Sequence, residues 1–77
     1  MLFLVDYDRK TGHLVSLLSY ADAELHRAQD ARLRLELKLR TGGVEREVVL
    51  LEAASESALR KTHRRYFESL ESLAAGH

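Results

Sequence analysis

Cysteine and proline are both absent from this chain of 77 residues, and neither charge sign is in excess. Without cysteine, no disulfide and no thiolate metal site can stabilise the fold. A domain of this length buries only about 60 to 65 % of the surface that its unfolded chain exposes, so its own core is thin. Small domains offset a thin core with a disulfide, a metal or oligomerisation, and the composition removes the first of these.

The charge balance and the lack of a long apolar run set the expected surroundings. Twelve basic and twelve acidic residues cancel, so no net charge attracts the chain to nucleic acid or to an anionic membrane. Residues 1–5 are apolar but have no basic flank and end at Asp6, which is too short for a signal peptide or a membrane span. The lack of cysteine fits a reducing compartment. We therefore expect a cytoplasmic protein with no membrane partner and no cofactor.

The first predicted element is a β-hairpin. Residues 2–8 and 13–19 are apolar and flank the turn sequence Arg9-Lys10-Thr11-Gly12. Asp8 can open the turn by accepting hydrogen bonds from its own backbone, and Gly12 can close it as a bulge residue.

The second half of the chain contains one further strand and a helix. Residues 44–51 end in a Val-Val-Leu-Leu run that is typical of a strand. Ser55 is placed to cap a helix that runs to about Ala74. No linker or repeat divides the sequence, so one domain spanning residues 1–77 is expected.

Residues 21–40 are ambiguous, because leucine alternates with charged residues from Arg32 to Arg40. Alternation is the period of a strand, yet Leu, Arg, Glu and Lys are good helix formers, and Gly42-Gly43 then provides a stop. As a helix, the segment places Leu33 and Leu37 opposite the apolar face that is formed by Ala21, Leu25, Ala28, Leu35 and Leu39. The helix is favoured, which predicts an α+β domain in the order β-β-α-β-α with an antiparallel three-stranded sheet. The alternative is ββαββα with a second hairpin at residues 32–51.

The predicted strands are apolar on both sides. Simple alternation assigns the apolar residues of each strand to opposite faces of the sheet. In the first strand, Leu2 and Leu4 lie on one face and Phe3, Val5 and Tyr7 on the other. In the second strand, Leu14 and Leu18 lie opposite Val15 and Leu17, and in the third, Val48 and Leu50 lie opposite Val49 and Leu51. If both helices cover one face, the other requires a partner, and the simplest partner is a second copy. The alternative is one helix on each face. We expect a homodimer, with Leu33 and Leu37 as the candidate interface.

The C-terminal helix carries the one candidate nucleic-acid patch. Its predicted apolar side comprises Leu59, His63, Tyr66, Phe67, Leu70 and Leu73, and its basic side comprises Arg60, Lys61, Arg64 and Arg65. Basic residues beside aromatic rings are one way to hold a phosphate backbone. The simpler interpretation is a solvated face partly neutralised by Glu68 and Glu71, so nucleic-acid binding is not the favoured function. His63 is predicted to be a hydrogen-bonded core residue.

Signals for catalysis and metal binding are weak. Asp6 and Asp8 lie on one side of the first strand, but the turn already explains Asp8, and no histidine is placed beside them. The four histidines lack the spacing of a metal site, and no nucleophile elbow or phosphate loop is present. We therefore expect no enzymatic activity and predict no catalytic, cofactor or metal residue.

Three segments carry a resemblance that covers most of residues 3–67. The hairpin sequence from Tyr7 to Leu14, the run Val48-Val49-Leu50-Leu51 and the sequence from Ala58 to Phe67 resemble a group of short uncharacterised bacterial proteins with a Tyr-Asp…Thr-Gly hairpin and a Thr-His-x-Arg-Tyr-Phe-like helix. The resemblance implies a small bacterial domain with a helix over residues 21–40, and it supplies no site residue.

These observations favour a small cytoplasmic protein-interaction or regulatory module that works as a homodimer, with a further protein partner left open. The first alternative is a nucleic-acid-binding module that uses Arg60, Lys61, Arg64 and Arg65. The second alternative is a small-ligand binder or enzyme whose pocket forms at the dimer interface.

Overall fold

The computed structural model describes residues 1–68 and shows a small α+β domain. The elements in chain order are β1 (Leu2–Asp8), β2 (His13–Tyr20), a 3₁₀ turn (Asp22–Glu24), α1 (Leu25–Thr41), β3 (Glu47–Glu52), α2 (Glu56–Thr62) and a second 3₁₀ turn (Arg64–Tyr66). The strands form one antiparallel sheet in the order β2-β1-β3. The predicted fold class is confirmed, and β1 is the central strand. No helix within residues 1–68 is long and apolar enough to cross a membrane.

The hairpin turn forms as its sequence predicts. One carboxylate oxygen of Asp8 accepts hydrogen bonds from the backbone N–H groups of Lys10 at 2.9 Å and Thr11 at 3.3 Å. Gly12 has a φ of 72°, a conformation that glycine adopts without a steric penalty. The Gly12 N–H donates to the Asp8 carbonyl oxygen at 2.9 Å, which closes the turn.

A β-bulge in β2 changes which of its residues face the core. Asp6 pairs with Ser16 and Tyr7 pairs with Leu14, so Val15 has no partner on β1. An unpaired residue shifts the alternation by one position. Leu14 therefore joins Leu17 on the side of Val5 and Tyr7, and the expectation that Leu14 shares a face with Leu18 is wrong. The irregularity lies at Val15 rather than at Gly12.

The ambiguous segment is helical. The 3₁₀ turn begins it, with the Glu24 side chain accepting the Ala21 N–H at 3.0 Å, and α1 continues to Thr41. The end is a Schellman motif: Val44 N–H donates to the Leu39 carbonyl at 2.9 Å, and Gly43, with a φ of 69°, donates to the Arg40 carbonyl at 3.1 Å. Continuous helix propensity and a glycine stop thus prevail over the leucine alternation.

The two helical segments pack on opposite faces of the sheet. Tyr66 and Phe67 pack with Val5, Tyr7 and their neighbours on one face. On the other face, α1 contacts β1 and β3, and its Leu39 lines a groove together with Val48 of β3. This is why β1 is buried on both sides. The expectation that both helices cover one face and leave the other for a partner is wrong.

The second helix is shorter than predicted. Ser55 caps it as expected, because its hydroxyl accepts the Ala58 N–H at 3.1 Å. The helix ends at Thr62, and His63 adopts a non-helical conformation with φ −123° and ψ 52°. The break turns Tyr66 onto Tyr7, with ring centroids 5.2 Å apart in an edge-to-face arrangement. Residues 69–74 of the predicted helix, including Leu70 and Leu73, lie outside the described residues.

Candidate protein-interaction surface

The outward side of α1 carries two leucines that the domain does not cover. Leu33 is 54 % exposed and Leu37 is 51 % exposed, whereas Ala28 and Leu39 on the opposite side are buried. A helix has about 3.6 residues per turn, which aligns five residues along this outward side: His26, Asp30, Leu33, Leu37 and Arg40. We call these five residues the α1 outer face. The predicted location of Leu33 and Leu37 opposite the buried side is confirmed.

The buried side of α1 is narrower than predicted. Leu25 belongs to the predicted apolar face but is 43 % exposed, and Ala21 precedes the helix and is exposed. Leu35 is half-buried. The buried side of α1 is therefore limited to a line through Ala28, Leu35 and Leu39.

The charges of the α1 outer face are placed symmetrically about its leucines. Asp30 lies three residues before Leu33, and Arg40 lies three residues after Leu37. Within residues 1–68, neither Asp30 nor Arg40 forms an ion pair. The face thus carries one anion at one end, one cation at the other, and an apolar centre.

The four basic residues of the candidate nucleic-acid patch lie on two segments, α2 and the 3₁₀ turn that follows it. Arg60 pairs with Glu56 at 3.2 Å and stacks on the Phe67 ring, 4.5 Å from its centroid. Arg64 pairs with Glu68 at 3.6 Å. Arg60 and Lys61 belong to α2, whereas Arg64 and Arg65 follow the break at His63, so they do not share one helix face.

Arg65 takes part in a cluster that attaches the chain after α2 to the sheet. Its guanidinium donates to Glu47 of β3 and, at 2.7 Å, to the Tyr66 hydroxyl, and it stacks on the Tyr66 ring at 4.3 Å. The Tyr66 hydroxyl also donates to Glu47, and Arg9 approaches the second oxygen of Glu47 at 3.4 Å. Burial and the adjacent carboxylate raise the pKa of Tyr66. The hydroxyl of Tyr66 therefore stays protonated and links Arg65 to Glu47.

Asp6 and Arg46 form an ion pair in which Asp6 is buried and Arg46 lines a groove between α1 and β3. Asp6 is 3 % exposed, and its carboxylate lies 3.2 Å from the Arg46 guanidinium. Burial raises the pKa of Asp6, an effect that Arg46 partly opposes. Asp8 shows the opposite effect: its turn hydrogen bond from Thr11 lowers its pKa. Asp6 is therefore paired with a cation, Arg46, and does not form a pair of carboxylates with Asp8.

The groove itself has a mixed charge. Its volume is about 620 Å³, and the cations that line it include Lys10, Arg40 and Arg46, with Glu36 and Glu45 among the lining residues. His63 lies elsewhere and is half-buried, with its Nδ1 atom 2.9 Å from the Thr62 hydroxyl. Within residues 1–68, no group of three acidic or histidine side chains is arranged to hold a metal ion.

Comparison of the chain with protein-family models, with curated proteins and with solved structures finds no match. Function is therefore inferred from the surfaces of the chain itself.

Sequence reasoning located the leucines of the α1 outer face but missed its charged ends. Asp30 and Arg40 become informative only when the segment is known to be helical and the side that packs on the sheet is known. Their positions, five residues before and after residue 35, were the available signal.

Proposed function

We propose that the domain is a cytoplasmic protein-interaction module of the regulatory kind, that it has no catalytic role, and that it works as a homodimer joined through the α1 outer face. The observation that supports this proposal is the pair of half-exposed leucines Leu33 and Leu37 on a helix whose other side already packs on the sheet. Two exposed leucines one helical turn apart form the apolar centre that an interface requires.

The pattern of the α1 outer face matches itself in an antiparallel arrangement. Leu33 and Leu37 lie about 3 Å along the helix axis on either side of residue 35, and Asp30 and Arg40 lie about 7.5 Å on either side, since each residue rises about 1.5 Å. A two-fold axis at residue 35 therefore sets Leu33 beside Leu37 of the second copy. It also sets Asp30 in the same layer as Arg40 of the second copy.

Charge selects this arrangement over a parallel one. In a parallel pair, Asp30 would face Asp30 and Arg40 would face Arg40, and like charges in one layer oppose association. In the antiparallel pair, each end of the interface carries one carboxylate and one guanidinium. A two-fold interface of this type uses the same residues on both copies and therefore closes as a dimer.

A charge-reversal experiment tests the interface and its direction together. Asp30→Arg and Arg40→Asp each replace two attractive pairs by two repulsive ones, and exposed pairs contribute about 0.2 to 1 kcal/mol each. Each single variant is expected to weaken the dimer by about 2 kcal/mol, a roughly 30-fold rise in dissociation constant. The double variant exchanges the two charges and should restore most of the affinity.

The matched control is Lys38→Asp, which makes the same charge change as Arg40→Asp on the same helix but away from the α1 outer face. Sedimentation equilibrium at several protein concentrations measures all four variants. Failure of the double variant to recover, or equal weakening by Lys38→Asp, would contradict the antiparallel interface.

A further inference from the structure

The strand β2 is a sheet edge that has a bulge at Val15, near its start, but no charged residue or proline. It pairs with β1 on one side only, and within residues 1–68 no strand pairs with its other side. Its sequence from His13 to Tyr20 contains no aspartate, glutamate, lysine, arginine or proline. Charged residues, proline and bulges are the usual means of blocking strand addition, and residues 16–20, beyond the bulge, have none of them. The other edge strand, β3, begins and ends with glutamate at Glu47 and Glu52.

The surface beside this edge is apolar and partly open. Leu18 lies on the side of the sheet that α1 covers, yet it is 50 % exposed, since α1 packs over β1 and β3. A groove of about 300 Å³ separates α1 from the end of β2, and its lining comprises Tyr20, Arg27, Asp30, Ala31 and Arg34.

Cations form the α1 wall of this surface. Arg34 lines the groove together with Arg27 and Ala31, and Lys38 lies one helical turn further along the same side of α1. Both side chains are exposed, and within residues 1–68 neither has an ion-pair partner. Arg27 is already paired with Glu24 at 2.7 Å, and Asp30 lies at the rim. Arg34 and Lys38 are therefore the two cations left for a ligand.

We propose that β2 binds an extended acidic segment of another protein, which adds to the sheet as a fourth strand with its carboxylates directed at Arg34 and Lys38. The spacing supports this ligand class. Four residues of helix advance about 6 Å, and two residues of strand advance about 6.6 Å. Acidic residues at alternate positions of a strand therefore match the separation of the two cations, while the free backbone of β2 supplies main-chain hydrogen bonds.

The same charges disfavour a second copy at this edge. Pairing β2 with β2 of another copy would bring Arg34 and Lys38 of both copies to the same side of a continuous sheet, where they face one another. β2 itself provides no acidic residue to neutralise them. The α1 outer face shares Asp30 with the lining of this groove, but Arg34 and Lys38 lie outside that face, so the proposal does not depend on the homodimer.

The test uses the full chain and two blocked eight-residue peptides, one alternating valine with glutamate and one alternating valine with lysine. Fluorescence anisotropy should show binding of the glutamate peptide and at least roughly tenfold weaker binding of the lysine peptide. Arg34→Glu with Lys38→Glu should reverse that preference. The control variant Arg64→Glu removes an exposed cation elsewhere and should leave both affinities unchanged.

A second measurement separates strand addition from simple charge attraction. Two methylated forms of the glutamate peptide are compared, one with every valine nitrogen methylated and one with every glutamate nitrogen methylated. Only one of these two sets of N–H groups pairs with β2. Methylation of that set should abolish binding. Amide NMR shifts should change along residues 13–20 rather than along β3. The proposal is overturned if the glutamate peptide does not bind, if Arg64→Glu weakens it as much as the double variant, or if neither methylated form loses binding.

Discussion

Replacing Leu33 and Leu37 by glutamate removes the apolar centre of the proposed interface. Full burial of a leucine side chain contributes about 1.5 to 3 kcal/mol. Each of these two leucines is about half exposed in the single chain, so dimer formation can bury only the remaining half, about 0.8 to 1.5 kcal/mol per side chain. A two-fold dimer contains four such side chains, which together supply about 3 to 6 kcal/mol of association free energy.

The double variant is therefore expected to raise the dimer dissociation constant by about 10² to 10⁴, and four added carboxylates in one small interface increase the loss. Sedimentation velocity across a hundredfold range of concentration measures the change. Far-UV circular dichroism should remain that of the natural chain, because glutamate is a good helix former and both positions point away from the sheet. The matched control is Leu25→Glu, an exposed leucine of the same helix outside the α1 outer face, which should leave the dimer unchanged.

Two results would refute this reasoning. One is a double variant that dimerises as strongly as the natural chain, which would show that the leucines contribute nothing to assembly. The other is a double variant that loses its helical signal as a monomer, which would show that these side chains stabilise the fold itself.

The core and the two N-terminal aspartates give further predictions. Leu59→Ala should cost about 2 to 5 kcal/mol in urea unfolding, because Leu59 is fully buried and its truncation leaves a cavity. The natural chain should lose stability as pH rises from the ordinary carboxyl pKa of 3.8 through the raised pKa of Asp6, because its folded form binds this proton more tightly than its unfolded form. Asp6→Asn should remove that loss. The lowered pKa of Asp8 stabilises the folded chain fully above pH 3.8, and this stabilisation is lost as pH falls through the folded pKa. Asp8→Asn should remove this dependence of stability on pH, which has the opposite sign to that of Asp6. A pH series of urea unfolding curves for the natural chain and both variants checks these signs, and the same sign for both would contradict them.

Local chemistry explains why several elements could be predicted from the sequence. Asp8, Ser55 and the Gly42-Gly43 pair each act through hydrogen bonds or backbone conformations within a few residues. Such signals do not depend on the rest of the fold. The choice of helix for residues 21–40 also followed from local propensity summed over a long window.

Features set by tertiary contacts could not be predicted in this way. The bulge at Val15 shifts the alternation of β2, and no residue in that strand marks it as glycine would. The end of α2 at Thr62 follows from the packing of Tyr66 on Tyr7 and its hydrogen bond to Glu47, contacts between segments far apart in the chain. The end of α2 is thus a case of tertiary packing that overrides local pattern.

The two candidate surfaces also differ in how far they could be predicted from the sequence. Leu33 and Leu37 follow from helical periodicity once the segment is taken as a helix. The open edge of β2 and the cations Arg34 and Lys38 beside it depend on which strands α1 covers and on the strand order, and neither is encoded in a short window of sequence.

The molar mass of the natural chain in solution tests the proposed homodimer most directly. Light scattering coupled to size-exclusion chromatography, at protein concentrations from low to high micromolar, measures that mass against 8.8 kDa for a single chain. A mass of twice that value at high micromolar concentration, falling toward the single-chain value on dilution, is the expected result. A single-chain mass throughout the range would contradict the homodimer.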